Sequence, residues 1–524
     1  MKAFLMYQDQ DFDLQRELPP NEAALTQDLE LSTLLHVMAA GDKFLFGVGE
    51  QALFSSLTDP AAIVYRQQVL NDCLGYPSIV REIYDIAVTA IQGEKRIYRG
   101  LFSRSPDMSL HRSVEVLQFF VGLLKILRHI ADEHAGKFRS AGFVRLFAML
   151  SKELGDEYFD AVENQLRELK FRRGVLISAG LGKGNKGIGY ILRRLPPEQS
   201  WMKRITPGNR SGYSFQIPDR DENGFRALSE LRDRGTNLVA NALAQSADHI
   251  LSFFQMLRSE LAFYVGCLNL HQRLTAKGEP VCFPVALPRG GPALSARGLY
   301  DACLAMSIEA RAVGNDVDAD GKRLVMITGA NQGGKSTFLR SVGLAQLMMQ
   351  CGMFVPGRLF RASVCDGVFT HYKREEDTTM ESGKLDEELC RMSDLAGQLR
   401  ANSVLLCNES FASTNEREGS EIARQITRAL VEKGVRVFFV THLFDLAQRC
   451  YLEKTDATLF LRAERHGDGR RTFKLLEGAP LPTSYGQDLY SRIFGAERDA
   501  PLRADRHDNV SAGPVPRGSG SLWP

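Results

Sequence analysis

The chain has 524 residues, enough for about three domains with cores of their own. A formal net charge of +2 neither requires nor excludes a nucleic acid partner, so any basic surface must be local. The nine cysteines are odd in number and form no C-x-x-C pair, which argues against a disulfide framework and a zinc site. We therefore expect a cytoplasmic protein, and no apolar stretch approaches the roughly 20 residues of a membrane span.

Helical periodicity dominates the first half, and we expect residues 25–285 to form a helical core or lever domain after an N-terminal segment, residues 1–24. The triplet Thr58-Asp59-Pro60 is typical of a helix start, where a polar side chain caps the backbone and proline follows. Packing alone explains most apolar positions in this part. A helix is predicted over residues 26–40, and two long helical blocks are predicted over roughly residues 110–171 and 221–274.

A basic insertion, residues 172–218, interrupts the helical pattern and is rich in glycine, proline and aromatic residues. A short strand is predicted within it at residues 189–192. A cationic, loop-rich tip between helical blocks suits contact with a nucleic acid backbone, although a basic run is equally typical of a solvated surface. The candidate DNA contacts are Lys183, Lys186, Arg193, Arg194, Lys203 and Arg204.

The most specific motif follows an apolar run at residues 323–328 and precedes a helical pattern at residues 338–350. A strand, a glycine turn and a helix form the context in which the pattern G-x-x-x-x-G-K-S binds phosphate. Backbone N–H groups face the anion, Lys335 reaches the β- and γ-phosphates, and the Ser336 hydroxyl binds Mg²⁺. The predicted ATP-binding residues of this loop are Gly329, Ala330, Asn331, Gln332, Gly333, Gly334, Lys335, Ser336 and Thr337.

Two further apolar strands end in polar residues suited to triphosphate chemistry. The strand at residues 403–407 is followed by Asn408 and Glu409, where phosphate-loop ATPases usually carry Asp-Glu. We expect Asn408 to bind the metal through a water, with weaker Mg²⁺ retention, and Glu409 to activate the attacking water. The strand at residues 435–441 ends in His442, for which we expect a γ-phosphate contact. The candidate catalytic residues are Lys335, Glu409 and His442.

Strand-like and helical runs alternate after residue 285, so we expect residues 286–496 to form an α/β domain. The runs at residues 457–465 and 472–476 flank a Gly-Asp-Gly turn and predict an antiparallel hairpin. Residues 497–524 are polar and aperiodic, which predicts a disordered tail. The predicted fold is multidomain: a mainly helical core or lever domain followed by a phosphate-loop NTPase domain of the ABC-like ATPase type.

Four segments in this order carry a family resemblance: GANQGGKST, SVLLCNESFAST, FFVTHLFDL and PTSYGQDLY. They resemble the ATPase domain of the MutS family of DNA mismatch-repair proteins, whose loops read close to GPNMGGKST, LLLDEIGRGTST, ATHYFEL and SYG. More loosely, residues 29–74 resemble the start of that family's core domain. The resemblance implies an ATP hydrolase that acts on DNA as a homodimer, with ATP and Mg²⁺ in composite sites between the ATPase domains. It also implies a cytoplasmic protein that is nucleoid-associated when bound to DNA.

The resemblance assigns roles to individual residues as well. Asn315 would lie near the adenine, and Asn331 would bind the γ-phosphate. Ser382 and Gly383 would lie in the loop that completes the ATP site of the neighbouring subunit. The Ser-Tyr-Gly at residues 484–486 would close the ATPase fold.

The chain departs from the family pattern at its DNA-binding end. It has no Phe-x-Glu wedge, the mismatch reader of the repair proteins, and so resembles a MutS-like protein without the N-terminal mismatch-recognition domain. The switch loop reads Lys384-Leu385-Asp386-Glu387 where the repair proteins have a Ser/Thr-rich run. The helices and the basic insertion would still clamp a duplex, a junction or a branched intermediate.

Two hypotheses of function follow. The leading one is an ATP-dependent DNA-binding protein of MutS type, in which DNA-modulated ATP hydrolysis controls a clamp in mismatch or damage recognition, repair or recombination. The alternative is an ATP-gated protein-interaction module with slow hydrolysis, indicated by Asn408, and no direct DNA reading. A small-molecule kinase is disfavoured, because it would need neither lever helices nor a Ser-Thr dimer loop.

Overall fold

The computed structural model describes residues 1–98, 106–195, 213, 215–374, 383–465 and 471–481. The helices of these ranges are α1 (Glu22–Asp28), α2 (Leu31–Ala39), α3 (Lys43–Phe54), α4 (Pro60–Gly75), α5 (Pro77–Tyr98), α6 (Pro106–His134), α7 (Ala141–Glu153), α8 (Asp156–Glu168), α9 (Glu222–Ala276), α10 (Ala302–Ser307), α11 (Lys335–Gln350), α12 (Lys384–Gln398), α13 (Glu416–Glu432) and α14 (Phe444–Leu452). Short 3₁₀ helices cover Ala135–Lys137 and Lys183–Asn185.

The strands of the described ranges begin in the basic insertion and continue through the second half. They are β1 (Leu176–Leu181), β2 (Gly187–Arg193), β3 (Val281–Cys282), β4 (Val285–Leu287), β5 (Leu294–Leu299), β6 (Asn315–Asp318), β7 (Leu324–Thr328), β8 (Val355–Pro356), β9 (Leu359–Ser363), β10 (Val368–Tyr372), β11 (Val404–Asn408), β12 (Arg436–Val440), β13 (Thr458–Arg465) and β14 (Arg471–Glu477).

The predicted helix over residues 26–40 is wrong, because α1 and α2 divide this stretch. Glu30 lies between them with a φ of 54°, a left-handed conformation through which an α-helix cannot continue. The carboxylate of Glu30 forms an ion pair with Arg340 of α11. The predicted helix start is confirmed, since Asp59 caps α4 by accepting a hydrogen bond from the Ala61 N–H.

The two long helical blocks differ in the number of helices that they contain. Residues 110–171 contain parts of α6, α7 and α8 rather than one helix, because a 3₁₀ turn follows His134 and the Ser140 side chain caps α7. Helix α9, in contrast, is continuous over 55 residues and is roughly 80 Å long at 1.5 Å per residue. Its second half holds most of its buried side chains, and α2, α3, α5 and α6 contact it.

The strands β1 and β2 form an antiparallel hairpin that lies against α9, so the strand predicted at residues 189–192 is confirmed. The approach is closest at Gly235 of α9, where a Cβ atom would lie 2.4 Å from Cδ1 of Ile177. The hairpin thus packs close to the helix axis at a position that has no side chain. The hairpin of the basic insertion is therefore attached to the side of the long helix.

A six-stranded sheet with the order β10-β11-β12-β7-β13-β14 forms the centre of the second half. Its first five strands are parallel, and β14 pairs antiparallel with β13, which confirms the predicted hairpin. Strands β7, β11 and β12 consist almost wholly of buried residues, as expected where both faces of a sheet are covered. Their carboxyl ends lie at the same edge. A four-stranded sheet of order β4-β9-β5-β6 packs beside this unit.

One hydrophobic core runs from the N-terminal segment through α9 to α11. The fully buried Arg66 of α4 lies within it and donates to the carbonyl oxygens of Met6, at 3.2 Å, and Cys351, at 3.0 Å. Cys351 is the C-cap of α11, so a cation from the helical part satisfies the end of this helix. The nine cysteines carry free thiols. No helix of the described ranges is long and apolar enough to cross a membrane.

Candidate nucleotide-binding site

The glycine loop between β7 and α11 adopts a backbone that most residue types avoid. Gly329 and Gly334 have φ values of 115° and 88°, and Gln332 has a φ of 57°. A Cβ atom at Gly329 would lie 2.8 Å from the backbone nitrogen of Ala463 in β13. The loop is thus tightly wound at the N-terminus of α11, where free N–H groups and the helix dipole favour an anion.

The Lys335 side chain folds back over this loop. Its Nζ donates to the carbonyl oxygens of Gly329 and Ala330, both at 2.9 Å, and the residue is 5% exposed. Burial lowers the pKa of Lys335 to about 8; the nearby Glu409 carboxylate raises it, and the positive charge of Arg471 lowers it further. An anion held by the loop would raise this pKa, because it stabilises the ammonium form.

Ser336 and Asn408 meet at the carboxyl ends of β7 and β11. The Ser336 hydroxyl donates to Oδ1 of Asn408 at 2.8 Å. Both oxygens are hard and neutral, and Mg²⁺ accepts a few such protein oxygens together with phosphate oxygens and water. The pair therefore fits a Mg²⁺ ion shared with a nucleotide. Within the described residues, no three His, Cys, Asp or Glu side chains are grouped as a metal site.

Glu409 and His442 form the third part of the site. Nε2 of His442 lies 2.8 Å from Oε1 of Glu409, and the Glu409 backbone N–H donates to the Val440 carbonyl oxygen in the neighbouring strand. Glu409 has a φ of 54°, which turns its side chain away from the strand direction. The hydrogen bond from His442 is the main cause of a lowered Glu409 pKa, so the carboxyl group remains ionised and can accept a proton.

Asn315 lies beside the loop but points its amide at the backbone of β14. The side chain is 4% exposed; it donates to the Phe473 carbonyl oxygen at 3.2 Å and accepts from the Leu475 N–H at 2.7 Å. These bonds hold β14 next to the site. Asn331 is exposed at the loop, and Gly383 precedes α12. Ser382 and residues 484–486 lie outside the described residues.

The structure adds a residue to this site for which the sequence contains no recognisable signal. Arg471, the first residue of β14, donates from Nη1 to Oε1 of Gln332 at 2.8 Å. The contact joins the tip of the phosphate loop to a strand 139 positions further along the chain. A hairpin prediction places Arg471 near a turn, but it cannot place that turn over the loop after β7.

Four of the six predicted DNA contacts lie on or beside the β1–β2 hairpin and are exposed. Arg193 donates to the Ser178 hydroxyl at 2.9 Å, and Arg194 pairs with Glu168 of α8 at 2.5 Å. Lys183 and Lys186 lie at the turn of the hairpin, whereas Lys203 and Arg204 lie outside the described residues. A cleft of about 930 Å³ separates α8 from the hairpin, and its cationic lining residues are Arg167, Lys170, Arg172, Arg173, Arg193 and Arg194.

Comparisons with known proteins agree with this geometry. A family model described as the MutS2 N-terminal domain matches residues 58–277, and one described as MutS domain V matches residues 325–493. The second match includes the glycine loop, the Asn408–Glu409 pair and His442. The chain belongs to the MutS family.

MutS-family proteins named DNA mismatch repair protein MutS are similar to parts of the chain. The protein from Thermotoga sp. (strain RQ2) is 36% identical over 189 residues, which are 35% of this chain and 23% of that protein. The protein from Prochlorococcus marinus (strain MIT 9301) is 25% identical over 310 residues, 56% of this chain and 33% of that protein. The chain thus spans about a quarter to a third of the length of these curated MutS relatives.

Proposed function

We propose that the chain is a MutS-type, DNA-binding ATPase that uses ATP and Mg²⁺. The observation that carries this proposal is the convergence of three groups at one sheet edge: the glycine loop with Lys335, the Ser336–Asn408 pair and the Glu409–His442 pair. Parallel sheets bind ligands outside the carboxyl ends of their strands, and this edge meets that rule. The domain takes an ABC-like ATPase fold under this proposal.

Each group has a role in phosphoryl transfer. Loop N–H groups and Lys335 would bind the polyphosphate, and Ser336 and Asn408 would hold Mg²⁺, Asn408 through a water. The metal ion supplies charge neutralisation between the phosphates. Glu409, kept ionised, orients the attacking water and accepts its proton. His442 holds Glu409 in position and contacts the γ-phosphate once it is bound.

We infer that two copies of the chain build composite ATP sites and act as a clamp on DNA. The loop that contains Ser382 and Gly383 would reach the partner's nucleotide. Helix α9 would transmit the nucleotide state, because its buried half shares the core of α11 and its exposed half bears the basic insertion. Lys183, Lys186, Arg193 and Arg194 would contact phosphates of a duplex or branched DNA, in mismatch or damage recognition, repair or recombination.

Binding of labelled ATP with Mg²⁺ tests the nucleotide site. Wild-type protein should bind ATP in the micromolar to millimolar range, and Lys335→Ala should lose the binding, because the buried ammonium faces the loop that holds the anion. Lys322→Ala is the matched control, since this lysine lies at the amino end of β7 and bonds to the Asp456 carbonyl oxygen. Wild-type protein without ATP affinity at millimolar nucleotide would rule out the proposal.

ATP turnover measured with and without DNA tests whether ATP hydrolysis and DNA binding influence each other. A clamp controlled by nucleotide requires that duplex or branched DNA change the rate of hydrolysis, and that ATP change the retention of DNA. ATPase activity and DNA retention that do not influence each other would contradict the clamp. Absence of DNA affinity at low salt would instead favour a protein partner for the helices.

A further inference from the structure

Both strands of the β13–β14 hairpin contact the phosphate loop closely. A Cβ atom at Gly333 would lie 2.7 Å from Cβ of Ala463 in β13, and one at Gly334 would lie 3.3 Å from the Phe473 carbonyl oxygen in β14. The two hydrogen bonds of Asn315 to β14 add a second attachment. The start of β14 is therefore held next to the loop through its own backbone, which contacts Gly334 and is hydrogen-bonded by the buried Asn315 side chain.

Arg471 lies at this point, and its guanidinium bonds to Gln332 Oε1 at 2.8 Å. Gln332 is exposed and left-handed, with a φ of 57°, at the tip of the loop. Arg471 and Lys335 are thus two cations at one anion site, one bonded to the loop tip and one to its base. Two like charges so placed repel each other until a polyanion lies between them.

We propose that Arg471 is a further binding residue for the nucleotide polyphosphate, which exchanges its bond to Gln332 for phosphate oxygens when ATP or ADP binds. The inference rests on the proposed nucleotide site. A guanidinium offers planar N–H donors that match phosphate oxygens in bidentate geometry, which a neutral amide acceptor such as Gln332 cannot use fully. The bond to Gln332 keeps the guanidinium at the loop before nucleotide arrives.

Dissociation constants of ATP, ADP and adenosine separate a phosphate contact from a structural role. Arg471→Ala should weaken ATP and ADP binding by about tenfold, the effect of one charged hydrogen bond, and leave adenosine binding unchanged. Arg471→Lys should weaken ATP and ADP binding less, by about threefold, because the charge stays while the planar set of N–H donors is lost. Lys322→Ala, which removes a cation from the opposite edge of the sheet, should bind as wild type does.

Two variants distinguish direct contact from an effect through the loop. Arg471→Gln retains a donor for Gln332 but no charge, and should lose as much ATP affinity as Arg471→Ala. Gln332→Ala removes the tether and keeps the Arg471 charge, so it should lose less ATP affinity than Arg471→Ala does. Wild-type affinity in Arg471→Gln, or a tenfold loss in Gln332→Ala, would show that Arg471 only positions the loop and would overturn the inference.

The outcomes also separate this inference from the proposed function. If wild-type protein binds ATP and Arg471→Ala binds it equally well, the Arg471 contact is absent while the nucleotide site stands. If wild-type protein and Lys335→Ala both fail to bind ATP, the nucleotide site itself is absent. Thermal melting of each variant in the absence of nucleotide should match wild type, since Arg471 is only partly buried.

Discussion

The contact between Glu409 and His442 keeps the Glu409 carboxyl group ionised and in position. The neighbouring strands β11 and β12 end at the same level of the sheet, because their last residues, Asn408 and Val440, pair with each other. Glu409 is one residue beyond β11 and His442 is two residues beyond β12, and Oε1 of Glu409 lies 2.8 Å from Nε2 of His442. The left-handed φ of Glu409 is a local cost, of order 1 kcal/mol or more, that the packing of the surrounding sheet sustains.

Glu409→Gln should separate binding from turnover. The amide oxygen still accepts the His442 bond, so the loop and its ATP affinity should be unchanged, while the loss of the proton acceptor should lower kcat by about 100-fold or more. Single-turnover hydrolysis and equilibrium ATP binding measure the two quantities. A kcat within a factor of two of wild type would assign the proton transfer to another group.

Asn408→Asp should lower the Mg²⁺ concentration that ATP turnover requires. A carboxylate at this position adds a negative charge next to the Ser336 hydroxyl, and Mg²⁺ prefers sites with one or two carboxylates. The Mg²⁺ concentration for half-maximal turnover should fall about three- to tenfold. Asn402→Asp, at the amino end of the same strand, adds an equal charge away from the site and is the control. An unchanged Mg²⁺ requirement would mean that Asn408 lies outside the metal's water shell.

At the scale of elements, α9 anchors the N-terminal segment through a buried carboxyl group. Glu260 is 0% exposed, and its Oε2 accepts from the backbone N–H groups of Leu5 and Met6. The Tyr264 hydroxyl, one turn further along α9, donates to the Leu5 carbonyl oxygen. Polar groups of the bent backbone at residues 5–6 are thus satisfied by two side chains of the long helix.

This anchor predicts a pH dependence of stability. Burial is the main cause of a Glu260 pKa raised to about 7 from 4.5, with the charge of Asp11 adding to it and the backbone N–H bonds opposing it. The folded state then binds more protons than the unfolded state between these values, so the free energy of unfolding falls as pH rises from about 4.5 to about 7. The magnitude is about 3 kcal/mol for this group.

Chemical denaturation at several pH values would detect the effect. Glu260→Gln should remove this part of the pH dependence, whereas Glu230→Gln, on the exposed half of α9, should keep it. Equal slopes for wild type and Glu260→Gln between pH 5 and pH 7 would show that Glu260 does not titrate in this window.

For the whole molecule, helix α9 connects the region of the nucleotide site with the basic insertion. The glycine loop begins α11, and Arg66 and the core around α9 hold its other end. The basic insertion lies on the exposed half of the same 55-residue α9. A rigid helix of this length can move a surface patch by several Å when its buried end shifts slightly, which is the physical basis for the proposed clamp.

The proposed DNA contacts predict how DNA affinity depends on salt concentration. If Arg193 and Arg194 each contact a phosphate, replacing both with alanine should reduce the slope of log affinity against log salt by close to 2. Arg194 must first leave its ion pair with Glu168, so its share should be the smaller. Titration of duplex and branched DNA at several salt concentrations measures the slope. A slope identical to that of wild type would remove these residues from the interface.

Local pattern was enough to predict the nucleotide end of the molecule. The strand at residues 324–328, the helix after the glycine loop, and the β13–β14 hairpin are all present, because apolar runs of this length and glycine at left-handed positions have few alternatives. The same reasoning failed at residues 26–40 and missed β10, since the turn at Glu30 and the edge of the sheet depend on partners far along the chain.

The sequence by itself determined which residues are able to bind phosphate, because the G-x-x-x-x-G-K-S turn works through its own backbone. Only the tertiary structure decided which other side chains share that site. The register of β11 and β12 brings Glu409 to His442, and the closure of β14 over the loop brings Arg471 to Gln332. Contacts across 33 and 139 positions result from strand order, and strand order is set by packing of the whole sheet rather than by any local segment.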